Sequence, residues 1–117
     1  MHYFCNRVVL ILAVADWDAS SPTRSAEVQA LYEEYGEQGF FPLALLGSGE
    51  PSVWSEELGL TYPVLFDEGF NLFSSRFLDQ IGSYQIPNFV LLKPGLEILW
   101  LNGYEIAADD IEPYLPL

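Results

Sequence analysis

The sequence predicts an α/β fold, in which helices are layered on a sheet of parallel and antiparallel strands. Short apolar runs rich in β-branched and aromatic residues alternate with segments of helical periodicity. The sequence Lys93-Pro94-Gly95 separates the last two apolar runs and predicts an antiparallel hairpin. The 117 residues contain no internal repeat, linker or low-complexity tract, so a single domain spanning residues 1–117 is expected.

The first apolar run, Val8–Val14, predicts a buried strand. Its position after Arg7, together with the small residues of Ala13-Val14-Ala15, also resembles the start of a secretory signal. The strand is favoured because the run is short, rich in β-branched residues and followed directly by a turn-rich segment. Since the run is needed as a strand, we expect a cytoplasmic protein or one domain excised from a longer chain.

A helix and a second strand follow. Ser21-Pro22 is typical of a helix start, with Ser as the N-cap and Pro in the first turn. Phe40–Leu46 predicts the second strand, with Pro42 near its beginning or at a sheet edge. Between them, apolar residues recur at helical spacing until Gly36, at positions Ala26, Val28, Leu31, Tyr32 and Tyr35.

The second half of the chain is predicted to consist of shorter elements, most of them bounded by proline or glycine. Asp67-Glu68-Gly69 predicts a turn among them. In order, the elements are a helix over 51–58, a strand over 62–66, a helix over 71–78 that extends toward Gln80, a strand over 89–92, a strand over 97–101 and a helix over 107–114.

The charge balance excludes several classes of partner. The chain has 17 Asp and Glu residues against 4 Lys and Arg, which gives a formal net charge of −13. A protein that binds a nucleic-acid backbone or an anionic lipid surface needs a basic face, which this composition does not provide. No apolar run reaches the ~18 residues that a membrane-spanning helix needs. Neither nucleic acid nor a membrane is therefore expected as a partner.

Composition also limits cofactor and metal chemistry. One Cys excludes an internal disulfide, and one Cys with one His excludes a structural zinc site. A Ser-His-Asp hydrolase is not expected, because the only histidine, His2, is next to the N-terminus. The sequence has no glycine-rich phosphate loop, and Glu50, Asp67 and Glu68 lack the spacing of a calcium loop. No cofactor or metal is therefore expected.

Four separated segments of the chain carry patterns of one known family. They are Val8–Leu12 followed by Ala15-Asp16-Trp17, Leu31–Tyr35, Leu60–Asp67, and Ile86–Leu92 followed by Pro94-Gly95. In this order they resemble thioredoxin-fold proteins, and within them the redoxin branch of TlpA/ResA-like and AhpC/TSA-like proteins. The resemblance implies a thioredoxin-like three-layer α/β/α sandwich with a mixed parallel/antiparallel central sheet and a cis-Pro loop at Ile86-Pro87.

The chain departs from this family at the positions where redox-active members carry their cysteines. In those members Trp is followed by Cys-x-x-Cys, which falls here on Asp18-Ala19-Ser20-Ser21. A thiolate at a helix N-terminus has a lowered pKa and attacks a disulfide, and the second thiol then resolves the mixed disulfide. Asp18 and Ser21 cannot do this chemistry, so they are degenerate redox positions. Their side-chain oxygens are instead expected to cap the first N–H groups of the helix.

The first of two functional hypotheses is a redox-inactive module that binds a protein or peptide. The resemblance implies that the residue before Pro87 pairs its backbone with an extended peptide of the partner. Trp17 and Ile86, with the region of Trp54 or Tyr62, would then form an apolar patch around this groove. In the alternative arrangement, Trp17 packs over Pro87 and closes the groove.

The second hypothesis is a thiol-disulfide oxidoreductase or thiol peroxidase whose catalytic Cys has been replaced, naturally or by engineering. Ser21-Pro22-Thr23, followed by Arg24, resembles the Cys-Pro-Thr segment of AhpC/TSA peroxidases, with Ser21 in the place of the reactive Cys. The remaining thiol, Cys5, is expected to be an apolar filler before the first strand. A disulfide between the Cys5 residues of two copies would give a homodimer in an oxidising sample.

Overall fold

Strand β1, Val8–Val14, lies at the centre of a five-stranded sheet in the computed structural model, which describes residues 6–78 and 85–116. On one side it pairs in parallel with β2, Phe40–Leu46, which pairs in parallel with β3, Val64–Phe66. On the other side it pairs antiparallel with β4, Asn88–Lys93, and β4 pairs antiparallel with β5, Glu97–Gly103. The strand order is β3-β2-β1-β4-β5, which is a mixed sheet as predicted.

Helices connect the strands and follow the last one. Helix α1, Ser21–Tyr35, follows β1, and α2, Pro51–Leu58, follows β2. Helix α3 consists of an α-helical turn, Asn71–Phe73, and a π-helical turn, Ser74–Leu78, while α4, Ala108–Ile111, follows β5. Single 3₁₀ turns cover Gly36–Gln38, Glu68–Phe70 and Glu112–Tyr114. None of the helices in the described ranges has the length and apolar character needed to cross a membrane.

The two faces of the sheet carry separate apolar clusters, because side chains along a strand alternate between faces. Even-numbered residues of β1, from Val8 to Val14, belong to the first cluster, and odd-numbered residues belong to the second. Helices α1, α2 and α4 cover the first face through Val28, Trp54 and Ile111. Helix α3 covers the second face through Phe73. Helices on both faces give the expected three-layer α/β/α sandwich.

Two tyrosine hydroxyls tie α1 to its surroundings. The Tyr35 hydroxyl donates to Glu112 Oε2 at 2.6 Å, and this bond, followed by burial of the hydroxyl, raises the pKa of Tyr35 to about 12. The folded protein holds this proton more tightly than the unfolded chain, so the stabilisation is complete below about pH 10 and is lost as pH rises toward the folded value. The Tyr62 hydroxyl donates to the Ser25 carbonyl at 2.8 Å, and burial raises the pKa of Tyr62 as well.

The predicted elements are present, and the third strand and third helix differ in detail. The third strand begins at Val64 rather than Tyr62, because it pairs only with Ala44–Leu46 of β2. Pro42 pairs with Leu10 of β1 and precedes the segment that meets β3, so β2 is an edge at this proline, as predicted. The predictions on His2 and Cys5 and the helix extension to Gln80 lie outside the described residues.

Strand β3 is the edge of the sheet on the parallel side and carries two exposed apolar side chains. Leu65 and Phe66 are each about half exposed. The strand is only three residues long, which keeps the open row of backbone N–H and C=O groups short.

Candidate functional site

The candidate site lies where the carboxyl end of β1 passes into α1. The loop between them begins with a turn in which the Asp18 N–H donates to the Ala15 carbonyl at 3.2 Å. The Asp16 N–H donates to the Ser48 carbonyl at 3.1 Å and joins this loop to the connection after β2. Asp16 and Trp17 are exposed, whereas Asp18 is half-buried. Backbone hydrogen bonds therefore hold the base of the loop while its tip faces solvent.

Direct hydrogen bonds join Asp18 and Ser21, the two positions that are predicted to correspond to the redox cysteines. The buried Ser21 hydroxyl donates to Asp18 Oδ2 at 2.8 Å and accepts the Ala15 N–H at 3.2 Å. The Ser20 hydroxyl donates to the same Asp18 oxygen at 3.0 Å. We call Asp18, Ser20 and Ser21 the Asp18 cluster. It links the end of β1 to the start of α1 through one carboxylate and two hydroxyls.

The predicted capping of α1 by Asp18 and Ser21 is wrong. The N-cap residue is Ser20, and its side chain makes no capping hydrogen bond. The first helical bond runs from the Arg24 N–H to the Ser20 carbonyl at 3.0 Å. Pro22 has no N–H, so one of the donors that would need a cap is missing from the first turn. The Ser21 hydroxyl instead accepts the Ala15 N–H at the end of β1.

Trp17 is the most exposed large apolar side chain among the described residues. It is 66 % exposed and belongs to neither apolar cluster. Most of the indole surface is therefore open to a contact beside the Asp18 cluster.

The segment Ile86-Pro87 lies next to this loop across the sheet. Its peptide bond is cis. Asn88, the first residue of β4, pairs with Ala13 in the antiparallel register, so the residues before Asn88 adjoin those that follow Ala13. Pro87 is buried, and half-buried Ile86 packs against the second cluster, which includes Ala15. The structure thus places Ile86 and Pro87, two of the three predicted binding residues, beside the end of β1.

Asn88 and Asn102, which were not predicted as site residues, form hydrogen bonds next to this segment. The Asn88 side chain is fully buried, and its Nδ2 donates to Asn102 Oδ1 at 2.7 Å and to the Gln85 carbonyl at 3.2 Å. Asn102 adopts a left-handed backbone conformation with φ 62° on β5. A polar residue at the head of an otherwise apolar strand is the signal that could have identified Asn88.

Trp54 and Tyr62 do not join the proposed apolar patch. Trp54 is 7 % exposed and Tyr62 is 2 % exposed, and both pack in the first cluster. Ile86 packs against the second cluster, on the opposite face of the sheet. The expectation of a patch that includes Trp54 or Tyr62 is wrong, because each ring fills the core under a helix instead of lining a surface.

Asp67, predicted only as part of a turn, caps α3. Its buried carboxylate accepts the Leu72 N–H at 2.8 Å through Oδ1 and the Phe73 N–H at 2.9 Å through Oδ2. These are donors of the first helical turn, which have no partner within the helix. Asp67 therefore has a structural function at the end of β3.

Arg24 is not directed toward Ser21. Its Nη1 lies 2.9 Å from Glu27 Oε1 and 3.3 Å from Glu105 Oε2. These ion pairs join α1 to the segment after β5. The arrangement differs from a peroxidase site, which needs its arginine beside the reactive atom.

The functional groups of this loop are the carboxylate and hydroxyls of the Asp18 cluster, and none of them contains sulfur. A serine hydroxyl is not appreciably ionised at neutral pH, and neither it nor a carboxylate forms a disulfide. Within residues 6–78 and 85–116, no three His, Cys, Asp or Glu side chains are grouped so that they could hold a metal ion. The site can hold polar groups in fixed positions and exposes the Trp17 indole to solvent. Cys5 lies outside the described residues.

No protein-family model and no curated protein matches this sequence. Solved structures match most of its length. A secreted thiol-disulfide isomerase from Corynebacterium glutamicum is 21% identical with a TM-score of 0.75, covering 94% of this chain and 69% of that one. A thiol:disulfide interchange protein of the thioredoxin family from Chlorobium tepidum is 11% identical with a TM-score of 0.76, covering 96% and 79%.

A third structure has higher sequence identity and a lower structural score. A thiol-disulfide oxidoreductase from Bacteroides fragilis is 24% identical with a TM-score of 0.66, covering 92% of this chain and 78% of that one. The three structures cover 92–96% of this chain, which confirms the fold expected from the sequence. This chain has the thioredoxin-like fold.

Proposed function

We propose that this chain is one thioredoxin-fold domain that binds an extended segment of a partner protein and does not exchange thiols with disulfides. The observation that carries the proposal is the Asp18 cluster. Both positions where the resembling proteins carry cysteine hold oxygen side chains, and these are hydrogen-bonded to each other at 2.8 Å. The cluster occupies the redox positions with groups that stabilise the loop.

Sulfur is required for the chemistry named in the structural relatives. Disulfide exchange passes through a mixed disulfide, and Asp18 and Ser21 can form none. A serine nucleophile would need an adjacent general base, and the only histidine of the chain is His2. The Ser21 hydroxyl is buried and already bonded to Asp18 and the Ala15 N–H, which opposes a role as a nucleophile.

The exposed indole of Trp17 supports a binding role. Large aromatic side chains are favoured anchors in protein interfaces, and a single exposed Trp next to a fixed loop can supply such an anchor. Ile86 and Pro87 adjoin the same strand end, so an extended segment would meet the Ile86 backbone and the Trp17 ring together. The net charge of −13 favours partners that are neutral or basic.

The first experiment tests for redox turnover. Reduction of insulin disulfides by a thiol, and consumption of peroxide by a thiol reductant, are each measured with and without the protein. We expect no acceleration in either assay. Turnover that disappears in Cys5→Ser would overturn the proposal and favour an enzyme with a relocated cysteine.

The second experiment restores the sulfur pair. Since the Asp18 and Ser21 side chains meet in the structure, the variant Asp18→Cys/Ser21→Cys, made in a Cys5→Ser background, is expected to form a disulfide. Thiol titration before and after reduction measures it, and Ser21→Cys alone in the same background is the control. If the two sulfurs never join, the alignment of this loop with Cys-x-x-Cys is wrong.

The third experiment tests the binding surface. A set of extended synthetic peptides of varied sequence is titrated against the protein, with Trp fluorescence and calorimetry as readouts. Trp17→Ala is expected to weaken the tightest complex by at least about tenfold, the loss typical of an interface anchor. Tyr114→Ala removes another exposed ring as the matched control. Equal affinities of the two variants would contradict the placement of the surface.

The second candidate is a thiol-disulfide oxidoreductase or thiol peroxidase whose catalytic cysteine has been replaced. It is favoured by the names of the three structural relatives, all of which describe thiol-disulfide chemistry. The ion pairs of Arg24 with Glu27 and Glu105 oppose the peroxidase form. Recovery of insulin reduction in the Asp18→Cys/Ser21→Cys variant would support descent from such an enzyme.

The cytoplasmic location remains a prediction. The similar structure from Corynebacterium glutamicum is described as a secreted protein.

A further inference from the structure

A groove on the first face of the molecule lies between α1 and the segment that links β5 to α4. Its volume is about 490 Å³, within the roughly 300–1,000 Å³ range of ligand-binding pockets. Neither Trp17 nor the Ile86-Pro87 segment lines it, so it is a different surface from the proposed peptide site.

The groove combines an apolar floor with acidic walls. The apolar lining residues, which we call the floor, are Ala30 and Leu31 of α1 and Ile106 and Ala107 of the opposite segment. The walls carry four carboxylates and one guanidinium, those of Glu27, Glu34, Glu105, Asp110 and Arg24. Such a surface fits a side chain with an aliphatic stem and a cationic end, since the stem covers the floor while the charge meets the walls.

The chain already holds one cation in this groove. Arg24 is bound from both walls, at 2.9 Å to Glu27 on α1 and at 3.3 Å to Glu105 on the far side. Two carboxylates remain beyond this clamp. Among the described residues Glu34 and Asp110 make no ion pair. Glu34 interacts with the Tyr35 hydroxyl and helps to raise the pKa of Tyr35, and Asp110 accepts the Ala107 N–H at 2.8 Å. Beside Arg24 the groove therefore has two carboxylates whose charge no cation of the described residues neutralises.

We infer that this groove is the docking site for a lysine- or arginine-bearing segment of a basic partner protein. The incoming cation binds Glu34 and Asp110 while its stem lies on Leu31 and Ile106. Arg24 competes with it for Glu27 and Glu105. A second copy of this chain is disfavoured as the occupant, because two copies would each bring a charge of −13.

The test uses a soluble synthetic peptide of alternating Lys and Leu, with a peptide of alternating Glu and Leu as its control. Calorimetry at low salt gives the affinity, and amide chemical shifts of the labelled protein locate the contact. We expect the Lys peptide alone to bind and to shift the amides of Ala30, Leu31, Ile106 and Ala107. Shifts confined to other surfaces would overturn the inference.

Matched variants separate this groove from general charge attraction. Glu34→Gln is expected to weaken binding about two- to fivefold, the loss of one exposed ion pair. Glu57→Gln on α2 removes the same charge elsewhere and should change the affinity much less. Equal losses in the two variants would show that net charge alone drives binding and would overturn the inference.

The competing guanidinium gives an effect of opposite sign. Arg24→Gln releases Glu27 and Glu105 and is expected to tighten binding about two- to fivefold. Lys93→Gln, which removes a cation paired with Glu97 at 3.3 Å, is the matched control and should not do so. Equal changes in both variants, or equally tight binding of free spermidine, would overturn the assignment to a protein segment.

Discussion

Asp18 and Asp67 occupy comparable places, since each lies between the end of a parallel strand and the start of a helix, yet they use their carboxylates differently. Asp67 is buried and accepts two backbone N–H groups of α3. Asp18 is half-buried and accepts two serine hydroxyls, and no capping bond to α1 is made by the residue at its N-cap. One aspartate is part of the framework, and the other organises a loop tip.

The difference shows how helix length changes the need for a cap. Helix α1 has 15 residues and packs against the sheet through Val28 and Tyr35. Its second residue, Pro22, has no N–H that would need a cap. The α-helical part of α3 has three residues, so its first N–H groups depend on Asp67. A long packed helix leaves the side chains before it available for other uses, as in the Asp18 cluster.

Among Asp67, Ser21, Asp18 and Trp17, the largest effect on stability is expected at Asp67. Asp67→Ala leaves the Leu72 and Phe73 N–H groups without partners in a buried site, which should lower the free energy of unfolding by about 2–3 kcal/mol. Chemical denaturation measures the loss. Asp67→Asn, which keeps one acceptor oxygen, should lose less. An effect of Asp67→Ala no larger than that of Asp18→Ala would break the comparison.

Ser21→Ala should have the next largest effect. It removes the acceptor of the buried Ala15 N–H, and we expect a loss of about 1–2 kcal/mol. Thermal and denaturant unfolding measure it, and Ser20→Ala, at an exposed hydroxyl, is the control. A Ser21→Ala variant as stable as the parent protein would mean that the bond at 3.2 Å contributes nothing.

Asp18→Ala is expected to be milder than either. Asp18 is half-buried, so water can replace its bonds to the Ser20 and Ser21 hydroxyls, and the loss should be about 0.5 kcal/mol. Denaturant unfolding beside Asp67→Ala gives the contrast directly. A loss of the same size as at Asp67 would show that Asp18 is also a framework residue.

The smallest stability effect is expected at Trp17. Because its ring is mostly exposed and outside both clusters, Trp17→Ala should change the unfolding free energy by less than about 0.5 kcal/mol. Trp54→Ala, in the first cluster, should by contrast lose about 3–5 kcal/mol. A large loss at Trp17 would indicate that the ring packs against the fold, which would weaken its assignment as a binding residue.

The sequence predicts the fold well because the signals are local. The apolar runs Val8–Val14 and Phe40–Leu46 match β1 and β2 residue for residue, and Gly59, with φ 67°, ends α2 where expected. The third strand is shorter than predicted, since its length depends on pairing with β2 rather than on its own residues. No local sequence pattern predicts that Ser74–Leu78 of α3 is π-helical rather than α-helical.

The site is predicted less well because its contacts join residues that are distant in the sequence. The Ser21 hydroxyl bonds to an N–H six residues earlier, at a strand end, which no capping rule describes. Trp54 and Tyr62 are large aromatic residues like Trp17, so residue type alone does not distinguish them. Packing in the folded protein buries the first two and leaves Trp17 exposed. The Asn88–Asn102 bond likewise crosses the hairpin, and it joins residues that are not direct register partners, since Phe89 pairs with Gly103.

The half-exposed Leu65 and Phe66 on the short edge strand β3 have a consequence for the protein in solution. An open apolar edge is a surface along which identical chains can stack. At neutral pH the charge of −13 keeps the molecules apart and acts as a colloidal stabiliser. Near the isoelectric pH of about 4.1 that repulsion vanishes, so acidification exposes the edge to precipitation. The acidic composition thus preserves the solubility of the edge that the fold leaves open.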